Sequence, residues 1–191
     1  MNSKDLNLIN RLPELKAAGV FSLKIEGRAK SAYYVGVVTN AYRIAIDEFL
    51  KFEGDNFQVS SWVKKELEKV SHRPYFEGFL HNKPNLGSTQ SQNYKTGGYV
   101  RKCDVVAVAE SFDGVFLNCV QKNKFNVGDC LEILIPKRNP ERFVVEQMKN
   151  EDGEEILSAP HAHMKVLVKC RCEVNLEKSD VKGCFLRRDV K

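Results

Sequence analysis

Four ionisable side chains crowd into one short stretch, Lys24-Ile25-Glu26-Gly27-Arg28-Ala29-Lys30-Ser31. Lys24, Arg28 and Lys30 are cationic and Glu26 is the single counter-charge, so the stretch suits an anionic group, a phosphate or a carboxylate. In this reading Arg28 and Lys30 hold the anion and Glu26 orients Arg28. Ser31 is placed to cap a following helix, whose free N–H groups also favour an anion. Lys24, Glu26, Arg28, Lys30 and Ser31 are therefore the candidate substrate- or anion-binding residues. The catalytic residues are unknown. Ser31 lacks a neighbouring base, and His72, His81, His161 and His163 cannot be placed near it, so a serine or cysteine protease triad is not supported. The same pattern also suits a solvated turn with internal ion pairs. Ile25-Glu26-Gly27-Arg28 also matches a common protease-cleavage linker, although such linkers lie in flexible segments rather than between a strand and a helix.

The elements around the stretch must position it. Asn2 to Ala18 read as a strand end and then a helix, with Pro13 in its first turn and Gly19 as its stop. Val20 to Ile25 read as a buried parallel strand. A strand-to-helix junction in such an architecture lies at the carboxyl edge of the sheet, where ligands bind. From Ser31 a long helix follows, with Tyr34, Val38, Ala41, Ala45 and Phe49 as its apolar stripe, widened by Val35, Tyr42 and Ile46. A more polar helix covers Val59 to Val70, burying Trp62, Leu67 and Val70 and leaving Lys64, Lys65, Glu66, Glu68 and Lys69 solvated. Ser71 to Leu80, with its Pro, Gly and aromatic residues, reads as an extended, packed segment. One strand with two or three helices cannot cover its own apolar faces, so this half requires neighbouring strands, from a larger barrel or sheet or from another chain.

His81 to Gly98 is polar and reads as a linker. From Tyr99 the period changes to two. Val105–Ala109, Val115–Val120, Cys130–Ile135, Phe143–Met148, Glu154–Leu157, Met164–Cys170 and Cys184–Leu186 are short strands separated by turns such as Asp113-Gly114 and Asn126-Val127-Gly128-Asp129. Strands so regularly punctuated suggest a small closed barrel. The chain thus divides into residues 1–80, a linker at 81–98, and a barrel at 99–191.

Composition bounds the function. The chain has 191 residues, 42% hydrophobic and 29% charged, as in ordinary globular proteins. No run is long enough to span a membrane and no secretory signal pattern opens the chain, so no membrane partner is expected and the cytoplasm is the expected location. The net charge of +5 permits a polyanion partner such as RNA without requiring one. All six cysteines fall in the second half, with no C-x-x-C pair, and read as free thiols acting as small buried hydrophobes. His161-x-His163 on a strand would alternate faces, so no metal site is expected.

The runs Met1-Asn2-Ser3-Lys4-Asp5-Leu6, Leu23-Lys24-Ile25-Glu26-Gly27-Arg28, Lys30-Ser31-Ala32-Tyr33-Tyr34 and Arg73-Pro74-Tyr75-Phe76-Glu77-Gly78-Phe79 resemble the collagenase-like peptidase family. So do Asn123-Lys124-Phe125-Asn126-Val127-Gly128-Asp129, Leu131-Glu132 and Ala159-Pro160-His161. Ala29 departs from the methionine usual there. The resemblance implies a fold of α/β plus all-β type: the terminal α/β units of an incomplete TIM-type barrel, followed by a small antiparallel β-barrel. Met1 then reads as an internal methionine, and the N-terminal barrel portion becomes a partner the chain requires. The branch of the family most similar to this chain acts in tRNA wobble-uridine hydroxylation, which implies tRNA as a partner. Some relatives bind an iron–sulfur cluster through cysteines of the N-terminal portion. The cysteines here do not match those positions, so no cofactor is expected in this chain. The alternatives are a collagenase-like peptidase, and an inactive fragment whose β-barrel is an RNA- or protein-binding module.

Overall fold

The computed structural model describes residues 2–78, 80, 92–93, 101–171 and 181–190. Two compact units divide the chain, Met1–Lys102 and Cys103–Lys191.

The first unit holds β1 (Asn2–Ser3), β2 (Asp5–Leu6), α1 (Leu12–Ala17), α2 (Ala32–Lys51), α3 (Ser61–Glu68), β3 (Tyr75–Phe76) and β4 (Gln92–Asn93). Pro13 sits in the first turn of α1, where its missing N–H costs nothing, and Gly19 follows the helix at φ +81°, a conformation open to glycine. Ser31 caps α2, its Oγ accepting from the Tyr34 N–H at 3.2 Å. The buried face of α2 is Tyr33, Val37, Val38, Ala41, Ile44 and Ala45. Val35 is exposed, so the apolar face is rotated from the expected stripe toward Tyr33 and Val37. α3 buries Val63 and Leu67, while Trp62 is only half-buried. Glu66, expected in solvent, is buried beside Lys69, because the buried face of α3 runs through Val63, Glu66 and Leu67. Glu48 of α2 accepts from both the N–H and the hydroxyl of Ser60, which fixes where α3 begins.

β2 and β3 pair in parallel, Asp5 with Tyr75 and Leu6 with Phe76. The segment from Val20 to Ile25, expected as a strand, belongs to no strand. It runs past α2 with Phe21 fully exposed and Val20 and Leu23 exposed. A strand exists only where a neighbour completes its ladder, and among the described residues β2 and β3 pair only with one another. Most of the expected linker at 81–98 lies outside the described residues. Within it, β4 pairs antiparallel with β1.

The second unit is all-β. Its strands are β5 (Cys103–Phe112), β6 (Phe116–Gln121), β7 (Phe125–Asn126), β8 (Cys130–Leu134), β9 (Glu141–Lys149), β10 (Glu155–Ile156), β11 (Ser158–Ala159), β12 (Lys165–Arg171) and β13 (Phe185–Asp189). The order β9-β12-β6-β5-β13-β8 closes on itself through β8–β9, every pair antiparallel, so the barrel has no open edge. The period-two alternation directs Leu117 and Cys119 of β6 and Phe143 and Val145 of β9 into a core shared with Val106, Leu131, Ile133, Met148, Val166, Val168 and Leu186. Each fully buried aliphatic or aromatic side chain there contributes about 1.5–3 kcal/mol. The architecture is α/β plus all-β, ending in a small antiparallel barrel. Tyr99 and Val100, expected to open that barrel, lie outside the described residues.

Candidate functional site

A cleft of about 620 Å³ opens in the first unit between the segment Val20–Lys30 and α2. Lys4, Lys24, Arg28, Lys30 and Arg73 line it, against only Asp5 and Glu26. Its floor is apolar, from Leu6, Leu8, Leu15 and Val38, with the rings of Tyr34 and Tyr42 beside them. Cation therefore outweighs anion over a partly apolar base, which suits a negatively charged ligand with an apolar or planar portion.

Each candidate residue has a definite setting. Glu26 accepts from the Arg28 backbone N–H at 3.0 Å, so it shapes the turn instead of gripping the guanidinium. Lys24 and Arg28 are exposed, and neither charged head has a partner among the described residues. Lys30 lies 3.6 Å from Asp5 Oδ2, donates to Ser71 O at 3.2 Å, and rests 4.9 Å from the centre of the Tyr34 ring. The Ser31 hydroxyl is engaged as the α2 cap. Four of the five candidate residues, Lys24, Glu26, Arg28 and Lys30, thus line one cleft, and Ser31 does not line it. Gly27 makes this possible: a Cβ there would lie 2.7 Å from Val35 Cγ2, so only glycine lets the turn approach the first turn of α2.

Sequence reasoning missed the opposite wall. Asp5 sits between two cations, with Oδ1 3.4 Å from Arg73 Nε and Oδ2 accepting from the Arg73 N–H at 3.1 Å while also facing Lys30. Arg73 in turn donates to Ser3 O at 2.9 Å. The β2–β3 pairing creates this arrangement, and no local pattern announces a two-residue parallel contact between positions so far apart. Tyr42 joins the same region, donating to Asn7 Oδ1 and accepting from the Leu8 N–H, and burial raises its phenol above the ordinary value.

The barrel has a cleft of its own, of about 740 Å³, lined by Asp104, Asp129, Glu132, Arg142, Arg188 and Asp189 among others. There carboxylates outnumber guanidiniums and both guanidiniums are paired: Arg188 with Asp129 at 3.2 Å, and Arg142 with Glu132 at 3.1 Å. Cys103, Cys119 and Cys184 are buried in this unit and Cys130 is exposed. Among the described residues no three His, Cys, Asp or Glu side chains gather to hold a metal ion. His161 and His163 lie in the loop before β12, not on a strand as expected.

Two parts of one family together match most of the chain. Peptidase family U32 matches residues 1–90, and the Peptidase family U32 C-terminal domain matches residues 101–181. The chain belongs to peptidase family U32. Among its U32 relatives, the tRNA hydroxylation protein P of Escherichia coli (strain K12) is 39% identical over 173 residues, covering 84% of this chain and 34% of that protein. An uncharacterized protease of Methanocaldococcus jannaschii is 48% identical over 139 residues, 70% of this chain and 33% of that protein. A collagenase of Porphyromonas gingivalis (strain ATCC BAA-308 / W83) is 28% identical over 153 residues, 79% of this chain and 36% of that protein. The chain spans about a third of the length of these U32 relatives. Among the described residues no helix is long and apolar enough to cross a membrane.

Proposed function

We propose that this U32 chain acts in tRNA wobble-uridine hydroxylation as the C-terminal region of the catalytic assembly, in the cytoplasm, with its cleft holding an anionic group of the substrate. The observation that carries the reading is the lining of that cleft. Lys24 and Arg28 present cationic heads with no partner among the described residues, beside Lys30 and Arg73, and relatives named for tRNA hydroxylation match across most of the chain. Arg28 offers a planar fork to a phosphate or carboxylate, and Lys24 a mobile point charge. Lys30, held by Asp5 and the Ser71 carbonyl, is preorganised and contributes field without rearranging. The remainder of the reaction centre is supplied by the N-terminal barrel portion, which is the partner this unit requires.

The peptidase reading follows from the names of other relatives. It is disfavoured because the one candidate hydroxyl, Ser31, is committed to capping and touches no histidine among the described residues. The test is a chimera in which this chain replaces the corresponding third of a tRNA hydroxylation protein P, expressed in a strain lacking that protein. Hydroxylated wobble uridine, read by mass spectrometry of purified tRNA, is the expected outcome. A soluble chimera that leaves the tRNA unmodified contradicts the proposal.

A further inference from the structure

Two turns meet at one end of the barrel. β6 ends at Gln121, and the turn Lys122-Asn123-Lys124 leads into β7, while Pro160-His161-Ala162-His163 leads from β11 into β12. β7 and β11 pair directly, Phe125 with Ala159, which brings the two turns side by side. Gln121 then staples them: its N–H donates to Met164 O at 2.9 Å, its carbonyl accepts from the His163 N–H at 3.0 Å, and its Nε2 donates to Ala159 O at 3.0 Å. On the other side, the Lys122 and Asn123 N–H groups donate to Val106 O, and the Asn123 side chain donates to Val105 O. The backbone of both turns is therefore fixed, although both lie on the surface.

What the fixed turns present is cationic. Lys122, Asn123, Lys124, His161 and His163 are all exposed, and neither turn contains a carboxylate. Neither lysine has an acidic partner among the described residues, and the nearby Lys165 already occupies Glu151 at 3.1 Å. The Lys122 ammonium lies 3.4 Å from His163 Nδ1. With Nδ1 accepting from the ammonium, Nε2 is the nitrogen left to donate. His163 holds φ at +65°, a left-handed conformation that a residue with a Cβ adopts at a cost. The Gln121 bonds maintain it, and the result is an imidazole placed beside Lys122.

We propose that this pair of turns is an RNA-contacting surface, with Lys122 and Lys124 on backbone phosphates and the imidazoles of His161 and His163 donating to phosphate or stacking on an unpaired base. The proposal rests on the reading of this chain as part of a tRNA-modifying protein, and it adds a second contact, in a different unit from the cleft. Rigid, exposed donors without carboxylates suit a sugar–phosphate backbone, whose contacts position the partner without reading sequence.

The test uses the whole chain and a fluorescein-labelled, unmodified tRNA transcript, with affinity measured by anisotropy over a series of salt concentrations. Lys122→Gln/Lys124→Gln is expected to weaken binding by roughly tenfold at 0.1 M salt and to lower the slope of log affinity against log salt by about 1.4–1.8, the loss of two phosphate contacts. An unchanged melting temperature shows that the variant is folded. Lys137→Gln/Arg138→Gln removes the same formal charge from the β8–β9 turn. That turn lies at the opposite end of the barrel, since β8 runs parallel to β5. This control is expected to retain affinity within about twofold. Equal losses in the two variants, or no loss in the first, overturn the surface while leaving the tRNA reading intact. A wild-type chain that binds polyglutamate but not tRNA overturns the surface and the tRNA reading together.

Discussion

Glu132 and Arg187 form a buried ion pair across β8 and β13, with Oε2 of Glu132 2.7 Å from Nη2 and 2.9 Å from Nε of Arg187. The Arg187 side chain is wholly inaccessible, at 0% exposure, beside the core of the barrel. The other oxygen of Glu132 faces outward to Arg142. One carboxylate thus serves a buried and an exposed guanidinium. It does so where the register of β13 against β5 shifts between Leu186 and Arg187, the extra residue being Val106 of β5.

Removing one partner of this pair takes from the other its buried charge-assisted hydrogen bonds. Glu132→Ala and Arg187→Ala are each expected to cost about 3–5 kcal/mol in urea unfolding, and Arg142→Ala under about 1 kcal/mol because its head is in solvent. The double variant Glu132→Leu/Arg187→Met is expected to recover most of the loss. A single variant as stable as the wild type would show that the pair is dispensable.

Gly27 governs the shape of the cleft. Gly27→Ala places a methyl 2.7 Å from Val35 Cγ2, and Val35 is β-branched and stiff. The expected cost is about 1–3 kcal/mol. Val35→Ala removes the obstructing methyl, so the double variant is expected to be more stable than Gly27→Ala alone, a coupling measurable by a double-mutant cycle. Strict additivity of the two changes would contradict the close approach.

Alkaline pH acts on both units with the same sign. Burial, reinforced by Cys170 and Glu110, pushes the Cys119 thiol well above the ordinary value of 9.0. Burial likewise raises the Tyr75 and Tyr42 phenols above 10.0. These groups hold their protons more tightly when folded than when unfolded. Their contribution is therefore complete below the ordinary values and is lost as pH rises toward the folded ones, by about 1.4 kcal/mol per pH unit for each group. Denaturant midpoints are expected to fall from about pH 9 for the barrel and about pH 10 for the first unit. Midpoints independent of pH up to 11 would contradict the burial of these groups.

The parts of this fold that were legible from sequence are those whose stability is local or strictly periodic. Ser31 and the α2 pattern marked a helix because cap and apolar spacing are neighbours in sequence. The alternation through Leu117–Cys119 and Phe143–Val145 marked strands for the same reason. Val20–Ile25 misled because β propensity reports a preference, and the ladder partner that realises it must come from elsewhere. The candidate site divides along the same line. The cationic stretch that lines the cleft, from Lys24 to Lys30, is continuous in sequence and was visible. Asp5 and Arg73 meet only through the β2–β3 register, and Glu132 and Arg187 only through barrel closure.

The claim on which the functional account depends is that Lys24 and Arg28 of the cleft serve tRNA hydroxylation. The direct measurement is the fraction of hydroxylated wobble uridine in tRNA from cells carrying the chimeric tRNA hydroxylation protein, with Lys24→Gln/Arg28→Gln introduced into this chain. The account predicts that the unaltered chimera restores the modification. It predicts that the double variant, equally abundant and equally stable, loses at least about tenfold of it, as expected when charged contacts to a bound anion are removed. Full modification by the double variant would contradict the account.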